Sequence, residues 1–286
     1  MENCHERIVE LRVRDCIEGM RSLPKGSVDI IVTSPPYNKG IHYSNVYRDN
    51  LPQGEYLSWV KQWAFEMARV LRDQGHVFIN VGSVPSDPWL AFGVANSFSI
   101  DFELQNTIHW IKSISIEEDT RGHFQPINSQ RYLNDTHEYI FHFTKSGRVS
   151  LDRTAIGVPY KDPSNLKRWK GAAKKGIRCR GNCWWIPYQT RKGAKVHPTP
   201  FPPELPEMCI RLTGLPPCSL RGAVTVLDPF VGEGNTALAC VRLGVSCIGF
   251  DIVPDYIERA IRRVEQETGA TREHAVDSIH HHPDPT

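Results

Sequence analysis

A proline-rich turn that displays a hydroxyl group and an aromatic ring follows an apolar strand pattern. The run from 28 to 33 leads into Ser34, Pro35, Pro36 and Tyr37. Peptide groups before proline stay extended, so the Ser34 hydroxyl and the adjoining carbonyl oxygens become fixed acceptors. Tyr37 offers a flat face on which a base can stack. Such a set can hold an exocyclic amine and aim its lone pair at a methyl donor; the alternative is a purely structural turn with Tyr37 as a lid.

A glycine-rich turn between a strand pattern and a helix pattern forms the second candidate site. The stretch VLDPFVGEGNTALA, residues 226–239, contains Asp228, Gly232 and Gly234. Glycine lets the backbone approach a ligand closely, and a helix amino terminus presents free N–H groups. The next strand pattern ends on Asp251, 23 residues after Asp228, where a carboxylate can accept both hydroxyls of a ribose. A nucleoside-type cofactor is therefore predicted.

The details of this turn narrow the choice of cofactor. There is no third glycine at the helix start for a pyrophosphate and no GKS or GKT for a triphosphate, which disfavours NAD and ATP. Asp228 would repel phosphates but could hold a positively charged amino-acid group. S-adenosyl-L-methionine fits both observations.

Both stretches resemble the S-adenosyl-L-methionine-dependent amino-group DNA methyltransferases. TSPPY is similar to their catalytic [DNS]-P-P-[YFW] motif and DPFVGEG to their cofactor motif, and the catalytic stretch comes first, as in the β class. The likeness covers most of the chain, through residues 15–38, 136–147, 197–210 and 226–252.

The resemblance implies a role for each matching residue. Ser34, Pro35, Pro36 and Tyr37 would position the target amine and stack the base. Asp251 would hold the ribose. The full cofactor site would comprise Asp15, Cys16, Thr33, Thr199, Pro200, Asp228, Phe230, Gly232, Gly234, Asn235, Thr236, Asp251 and Ile252. In this set Asp15 and Cys16 would lie near the adenine, Thr199 and Pro200 at the carboxylate end, and the Asp228 turn around the methionine part.

Ser34 points to the base that is methylated. In the family, Ser at this position is usual for N4-methylcytosine formation, whereas Asp or Asn is usual for adenine. HPTPFP at 197–202 agrees with this choice. The expected reaction is a direct in-line transfer without a covalent intermediate, and Cys218 is interpreted as structural. An adenine-N6 enzyme of the same class, a catalytically silent DNA-binding subunit and, more weakly, an enzyme acting on RNA remain alternatives.

One strongly basic segment interrupts an acidic body. Residues 160–195 contain eleven Lys or Arg and one acid, a net charge of +10, whereas the other 250 residues carry 23 basic and 31 acidic side chains, a net charge of −8. This asymmetry favours a local contact with a polyanion over a merely solvated loop. In the family this segment recognises the target in double-stranded DNA. The candidate DNA-binding residues are Lys167, Arg168, Trp169, Lys170, Lys174, Lys175, Arg178 and Arg180.

The elements that must position these residues alternate between strand and helix patterns. Strands are predicted at 28–33, 75–82, 102–112, 137–147, 223–228 and 245–251, and helices at 55–71, 204–212, 235–243 and 254–268. Alternation favours an α/β fold: a doubly wound, mostly parallel sheet of the seven-stranded methyltransferase type, with helices on both faces and a small irregular DNA-recognition insert. We expect a catalytic half at 1–147, the insert at 148–196, a cofactor half at 197–269 and a disordered tail at 270–286.

The composition indicates the cellular location of the protein and the state of its cysteines. No signal-peptide pattern and no long apolar run is present, so a soluble, cytoplasmic and nucleoid-associated protein is expected. The eight cysteines lack paired CxxC spacing, which predicts reduced thiols and no metal site. A restriction endonuclease is a candidate functional partner, and the chain is expected to be a monomer or a homodimer.

Overall fold

A computed structural model describes residues 8–43, 46–85, 87–122, 127–162, 176–187, 201–216, 218–219 and 222–269. The helices in these ranges are α1 (Cys16–Arg21), α2 (Gln53–Val70), α3 (Leu90–Ser97), α4 (Glu204–Leu212), α5 (Asn235–Leu243) and α6 (Pro254–Thr268). The strands are β1 (Val9–Val13), β2 (Val28–Thr33), β3 (His42–Tyr43), β4 (Tyr47–Arg48), β5 (Leu71–Val81), β6 (Glu103–Ile111), β7 (Ser113–Ile116), β8 (Asp119–Gly122), β9 (His137–Thr144), β10 (Val158–Pro159), β11 (Ile177–Arg178), β12 (Cys183–Trp185), β13 (Cys218–Ser219), β14 (Gly222–Ala223), β15 (Thr225–Asp228) and β16 (Ser246–Asp251).

Eight of these strands form one sheet in the order β1-β16-β15-β2-β5-β9-β6-β12. Every neighbouring pair is parallel except the two that involve β9. Strand β9 therefore runs against the other seven. The prediction of a doubly wound, mostly parallel sheet is confirmed.

The central strand β2 shows why helices cover both faces. Alternate residues of a strand point to opposite sides of the sheet. Ile30 and Val32 pack in the cluster that contains Leu205 of α4 and Ile257 of α6. Ile31 packs in the other cluster, which contains residues of α1, α2 and α3. Strand β2, which is apolar on both sides, is thus buried on both faces of the sheet, as is typical of parallel sheets.

The basic segment contributes to the sheet as well as to the surface. Strand β12 pairs with β6 through Trp184 and Trp110, and forms the eighth strand at the edge. Trp184 is fully buried, and the Trp110 indole donates to the Ile186 carbonyl at 2.8 Å. Trp184 of the CWWIP stretch therefore packs into the edge of the sheet. Residues 163–175, 188–200 and the predicted tail at 270–286 lie outside the described residues.

No helix within the described ranges is long and apolar enough to cross a membrane.

Candidate active site

A deep cleft opens where four neighbouring parallel strands end. Strands β1, β16, β15 and β2 all run toward this edge of the sheet, and the loops that follow them form its walls. The space inside, together with the adjoining open solvent, amounts to about 930 Å³. The carboxyl edge of a doubly wound sheet is where ligands of such folds bind. The walls are formed by Arg14, Asp15, Cys16, Ser34, Pro35, Pro36, Tyr43, Tyr47, Trp59, Phe201, Pro229, Phe230, Val231, Gly232, Glu233, Asn235, Asp251, Ile252, Val253 and Tyr256.

The predicted catalytic turn and the predicted cofactor turn share this cleft. Ser34, Pro35 and Pro36 line one side of it, and Phe230 and Gly232 line another. Although the two turns are almost 200 positions apart in sequence, β2 and β15 are adjacent strands, and Val226 pairs with Ile30. The loops that leave these two strands must therefore meet.

A buried carboxylate holds the loop that continues from the catalytic turn. Asp49, 2% exposed, accepts hydrogen bonds from the backbone N–H groups of Asn38, Lys39 and Ile41 at 2.7, 2.9 and 3.0 Å. Asn38 has a φ of 58°, a left-handed conformation that Asn tolerates better than most residues. Its side chain both donates to and accepts from the backbone of Leu51. The catalytic loop is thus fixed by side-chain contacts that involve no ligand.

Tyr37 does not face the cleft. Its ring is 7% exposed and belongs to the core cluster of α1, α2 and α3. Its hydroxyl forms a 2.7 Å hydrogen bond with Ser34 Oγ and donates toward Glu138 Oε2 at 3.0 Å. Burial, followed by the charge of Glu138, raises the pKa of Tyr37 well above its ordinary value. The predicted stacking of a base on this ring stays a prediction, and the structure shows the hydroxyl in a polar network instead.

The glycine turn brings its backbone against Asp251. Gly232 and Gly234 have φ values of 50° and 81°, which favour glycine. The Gly232 N–H donates to Asp251 Oδ2 at 3.0 Å. A Cβ on Gly234 would lie 2.7 Å from Ala260 Cβ, so this glycine also allows α5 to approach α6.

Asp228 joins the two turns through hydrogen bonds. It is 1% exposed and does not line the cleft. Its carboxylate accepts from the Thr33 hydroxyl at 2.5 Å, the Thr236 hydroxyl at 2.6 Å and the Phe230 N–H at 3.1 Å. Burial raises its pKa to about 6. In this structure Thr33, Thr236 and Asp228 join the two turns from behind, and direct contact of any of them with a cofactor stays a prediction.

Asp251, unlike Asp228, lines the cleft. Its Oδ1 accepts from the Val253 N–H at 2.9 Å while Oδ2 accepts from Gly232, and each oxygen keeps a further lone pair for a ligand. Burial raises the pKa of Asp251 to about 6, an effect that these backbone hydrogen bonds oppose. Ile252 lines the cleft beside it. The arrangement suits the predicted contact with ribose hydroxyls.

Two further predicted residues reach the cleft from the start of a helix. Asp15 caps α1 by accepting from the Ile17 and Glu18 N–H groups at 2.9 and 3.2 Å. Both Asp15 and Cys16 line the cleft. Burial, then the charge of Asp15, raises the pKa of Cys16 well above its ordinary value, so its thiol stays protonated.

Asn235 is positioned in the cleft wall by its neighbours. Its Nδ2 donates to the Phe201 carbonyl at 2.6 Å, and its Oδ1 accepts from Arg263 at 2.7 Å. The predicted neighbours Thr199 and Pro200 lie outside the described residues.

Aromatic side chains that the sequence patterns did not single out form one wall. Trp59 contacts Tyr47 and Phe230, with ring centroids 5.5 and 5.6 Å apart respectively. The Tyr43 ring also packs against Tyr47. The Tyr47 hydroxyl is buried and has no hydrogen-bond partner among the described residues. A wall of this kind, with one unused donor, fits a ligand that has both an aromatic ring and polar atoms.

The described part of the basic segment places two predicted DNA-binding residues. Arg178 is exposed in β11, and Arg180 donates from Nε to the Ile156 carbonyl at 3.0 Å. The other predicted residues, Lys167, Arg168, Trp169, Lys170, Lys174 and Lys175, lie outside the described residues.

The fold and the cleft together define an α/β enzyme with a nucleoside-type cofactor site at the carboxyl edge of its sheet. The chain belongs to the N6/N4 family of DNA methylases, whose model, described as DNA methylase, matches residues 28–262. It is 31% identical to the Type II methyltransferase M.HpaI of Haemophilus parainfluenzae over 88% of this chain and 73% of that protein. It is 29% identical to the Type II methyltransferase M.ScaI of Streptomyces caespitosus over 88% of this chain and 80% of that protein.

Solved structures share this fold. PvuII DNA methyltransferase, described as cytosine-N4-specific, has the same fold, with a TM-score of 0.66 at 21% identity over 94% of this chain and 95% of that one. TTHA0409 of Thermus thermophilus in complex with S-adenosyl-L-methionine matches with a TM-score of 0.60 at 24% identity over 98% of this chain and 100% of that one. The protein is an S-adenosyl-L-methionine-dependent DNA methyltransferase of the N4/N6 family.

Proposed function

We propose that this enzyme methylates the exocyclic N4 amine of a cytosine at a specific site in double-stranded DNA. The observation that carries the proposal is the shared cleft, in which Ser34, Pro35 and Pro36 face the glycine turn and Asp251. Ser at position 34 favours cytosine over adenine through the family resemblance. Family membership itself covers both N4 and N6 amines.

The cleft residues would have separate roles in the reaction. Bound S-adenosyl-L-methionine supplies an electrophilic methyl group. Asp251 and the aromatic wall of Tyr43, Tyr47 and Trp59 would hold the nucleoside part, and the Ser34 hydroxyl and the neighbouring carbonyls would hold the target amine. Positioning of this kind can lower a barrier by about 7–11 kcal/mol in favourable cases. Burial raises the pKa of the Cys16 thiol well above its ordinary value, which makes this cysteine a poor nucleophile, in agreement with direct transfer.

The product identifies the base. Plasmid DNA methylated by the purified enzyme would be digested to nucleosides and analysed by mass spectrometry, and N4-methylcytosine is the expected product. N6-methyladenine alone would overturn the assignment of Ser34 and favour the adenine enzyme. Single-molecule sequencing of the same plasmid would map the site.

The substrate base must leave the duplex to reach this cleft, at a cost of a few kcal/mol. We assign DNA recognition to the insert at 148–196, which contains the basic segment 160–195. Replacing Lys174 and Lys175 with Ala should weaken DNA binding at all sequences and reduce the slope of log K against log salt by about 2. Exposed Lys25 and Lys61, which lie outside residues 148–196, provide the matched control pair; an unchanged slope in the first pair would place the DNA elsewhere.

The relatives support the proposal of a restriction partner. Both M.HpaI and M.ScaI are Type II methyltransferases, and we propose that this chain likewise protects DNA from a cognate endonuclease. DNA methylated in cells that express it should then resist the endonuclease that cuts at the mapped site.

A further inference from the structure

A chain of polar groups runs from the cleft into the protein at the catalytic turn. It begins at Ser34, passes through the hydroxyl of Tyr37 and ends on Glu138, with separations of 2.7 and 3.0 Å. Glu138 lies at the start of β9, where register places Tyr139 beside Val81 of β5. Neither Tyr37 nor Glu138 lines the cleft.

Glu138 is kept ionised by two lysines. Lys112 Nζ donates to its Oε1 at 2.9 Å, and the Glu138 side chain is only 15% exposed. Burial alone would raise the pKa of Glu138, but the charges of Lys112 and Lys39 reverse that effect and lower it below the ordinary value. A Cβ on Gly82 would lie 3.0 Å from Glu138 Cγ, so the absent side chain makes room for this group. An ionised carboxylate accepts hydrogen bonds and has none to donate.

The direction of the hydroxyl protons follows from this acceptor. The other hydrogen-bond neighbours of the Tyr37 hydroxyl among the described residues are the Asn80 carbonyl at 3.2 Å and Asn80 Oδ1 at 3.4 Å, which are acceptors as well. The Asn80 amide is oriented by its donation to the Tyr139 carbonyl at 3.1 Å. An ionised carboxylate is the strongest of these acceptors, so the single Tyr37 proton favours Glu138, and this leaves Ser34 as the favoured donor in the 2.7 Å contact.

We propose that Tyr37 and Glu138 are positioning residues that turn the Ser34 proton away from the cleft, so that Ser34 meets the target base as an acceptor only. A hydroxyl can normally rotate and present either a proton or a lone pair. Held in this way, Ser34 favours an amino group, which donates, and opposes a carbonyl oxygen at the same place. Tyr37 then acts through its hydroxyl, whether or not its ring stacks a base. This inference rests on the proposed contact between Ser34 and the target amine.

Tyr37→Phe tests the chain because it keeps the ring and removes only the hydroxyl. We expect turnover, measured well below the melting temperature, to fall about tenfold or more, while the affinity for S-adenosyl-L-methionine changes little. The melting temperature should fall modestly because Glu138 loses a buried donor. Glu138→Gln should act in the same direction but less strongly. Lys112 would attract the amide carbonyl, so the new NH₂ group faces Tyr37, whose proton keeps only the longer contacts to Asn80. Glu103→Gln, at an exposed position in β6, is the matched control.

A binding measurement tests the orientation of Ser34 directly. Fluorescence anisotropy would give the affinities for two duplexes that carry the mapped site, one with cytosine and one with uracil at the target position. The cost or gain of the U·G mismatch is the same for every variant, so it cancels when each ratio is compared with that of the wild type. If the mapped base is adenine, hypoxanthine replaces it in the second duplex.

The variants should move this ratio in a defined pattern. Tyr37→Phe frees the Ser34 hydroxyl to donate, so binding should shift toward uracil by up to about tenfold. Adding Tyr37→Phe to Ser34→Ala should change the ratio no further, because Tyr37 acts through Ser34. An unchanged ratio in Tyr37→Phe, or equal shifts with and without Ser34, would overturn the proposal even if the wild type methylates its site. A wild type that methylates no DNA would instead overturn the proposed function.

Discussion

Asp251 should make cofactor affinity depend on pH in a window where most carboxylates are already ionised. Its pKa is raised to about 6 by burial, from the 3.8 of an ordinary Asp. The ionised form can accept hydrogen bonds from two ribose hydroxyls, whereas the protonated form gives up one acceptor position. Affinity for S-adenosyl-L-methionine should therefore rise with pH through about 6 and level off above 7.

The size of the effect follows from the ionised fraction. At pH 5, one unit below a pKa of about 6, only about one molecule in eleven carries the charge, so affinity should be up to about tenfold lower than at pH 7.5. This corresponds to about 1.4 kcal/mol. Below pH 6 binding should also release a proton, because the ligand favours the ionised form. Titration calorimetry at pH 5.0, 6.0 and 7.5, at constant ionic strength and in two buffers, measures both quantities.

Two variants separate Asp251 from the rest of the protein. Asp251→Asn should bind weakly at every pH and lose the slope, while Asp255→Asn, at an exposed position in α6, should keep it. Asp228 also has a pKa of about 6 but lies behind the cleft wall. A slope that survives in Asp251→Asn would assign the titration to Asp228, and an affinity independent of pH in the wild type would refute the reasoning.

Three further substitutions test the supports of the cleft. Gly234→Ala should lower the melting temperature and weaken cofactor binding, because its Cβ would lie 2.7 Å from Ala260 Cβ at a φ of 81°; adding Ala260→Gly should recover only the part due to the clash, and full recovery would contradict a role for φ. Asp49→Asn should accelerate hydrogen exchange at residues 38, 39 and 41 and cost about 1–3 kcal/mol of stability. Unchanged exchange would show that the loop keeps its conformation without the Asp49 carboxylate. Trp184→Ala should cost about 3–5 kcal/mol in chemical denaturation, and a cost below about 1 kcal/mol would mean that the edge strand is dispensable.

Regular periodicity allowed the elements around the cofactor turn to be predicted closely. Helices α4, α5 and α6 have the predicted bounds, and β2 has them as well. Each carries an apolar pattern long enough to be recognised alone. Strand β1 and helices α1 and α3 were not predicted. Their places depend on the sheet that they join.

No local sequence pattern indicated the aromatic wall or the contact between Tyr37 and Glu138. Trp59 lies on α2 between Tyr56 and Trp63, which are fully buried. Its spacing therefore predicts a core residue, and only the structure shows that it lines the cleft. Glu138 is one acid in an alternating strand, 101 residues from the tyrosine that it contacts. Only the register of β9 against β5 brings them together, and register follows from the whole sheet.

The order of the strands explains why the site could nevertheless be predicted in outline. Neighbouring strands lie about 4.8 Å apart, so once β2 pairs with β15, the turns that follow them become walls of one cavity. The 2.5 Å hydrogen bond from Thr33 to Asp228 is the chemical consequence of that pairing. An acid at the end of β15 therefore supports the cleft because it lies directly beside β2, while Asp251, one strand further away, is left with lone pairs for a ligand. Two acids that look equivalent in sequence thus differ through their positions in the sheet: Asp228 joins the two turns, and Asp251 lines the cleft.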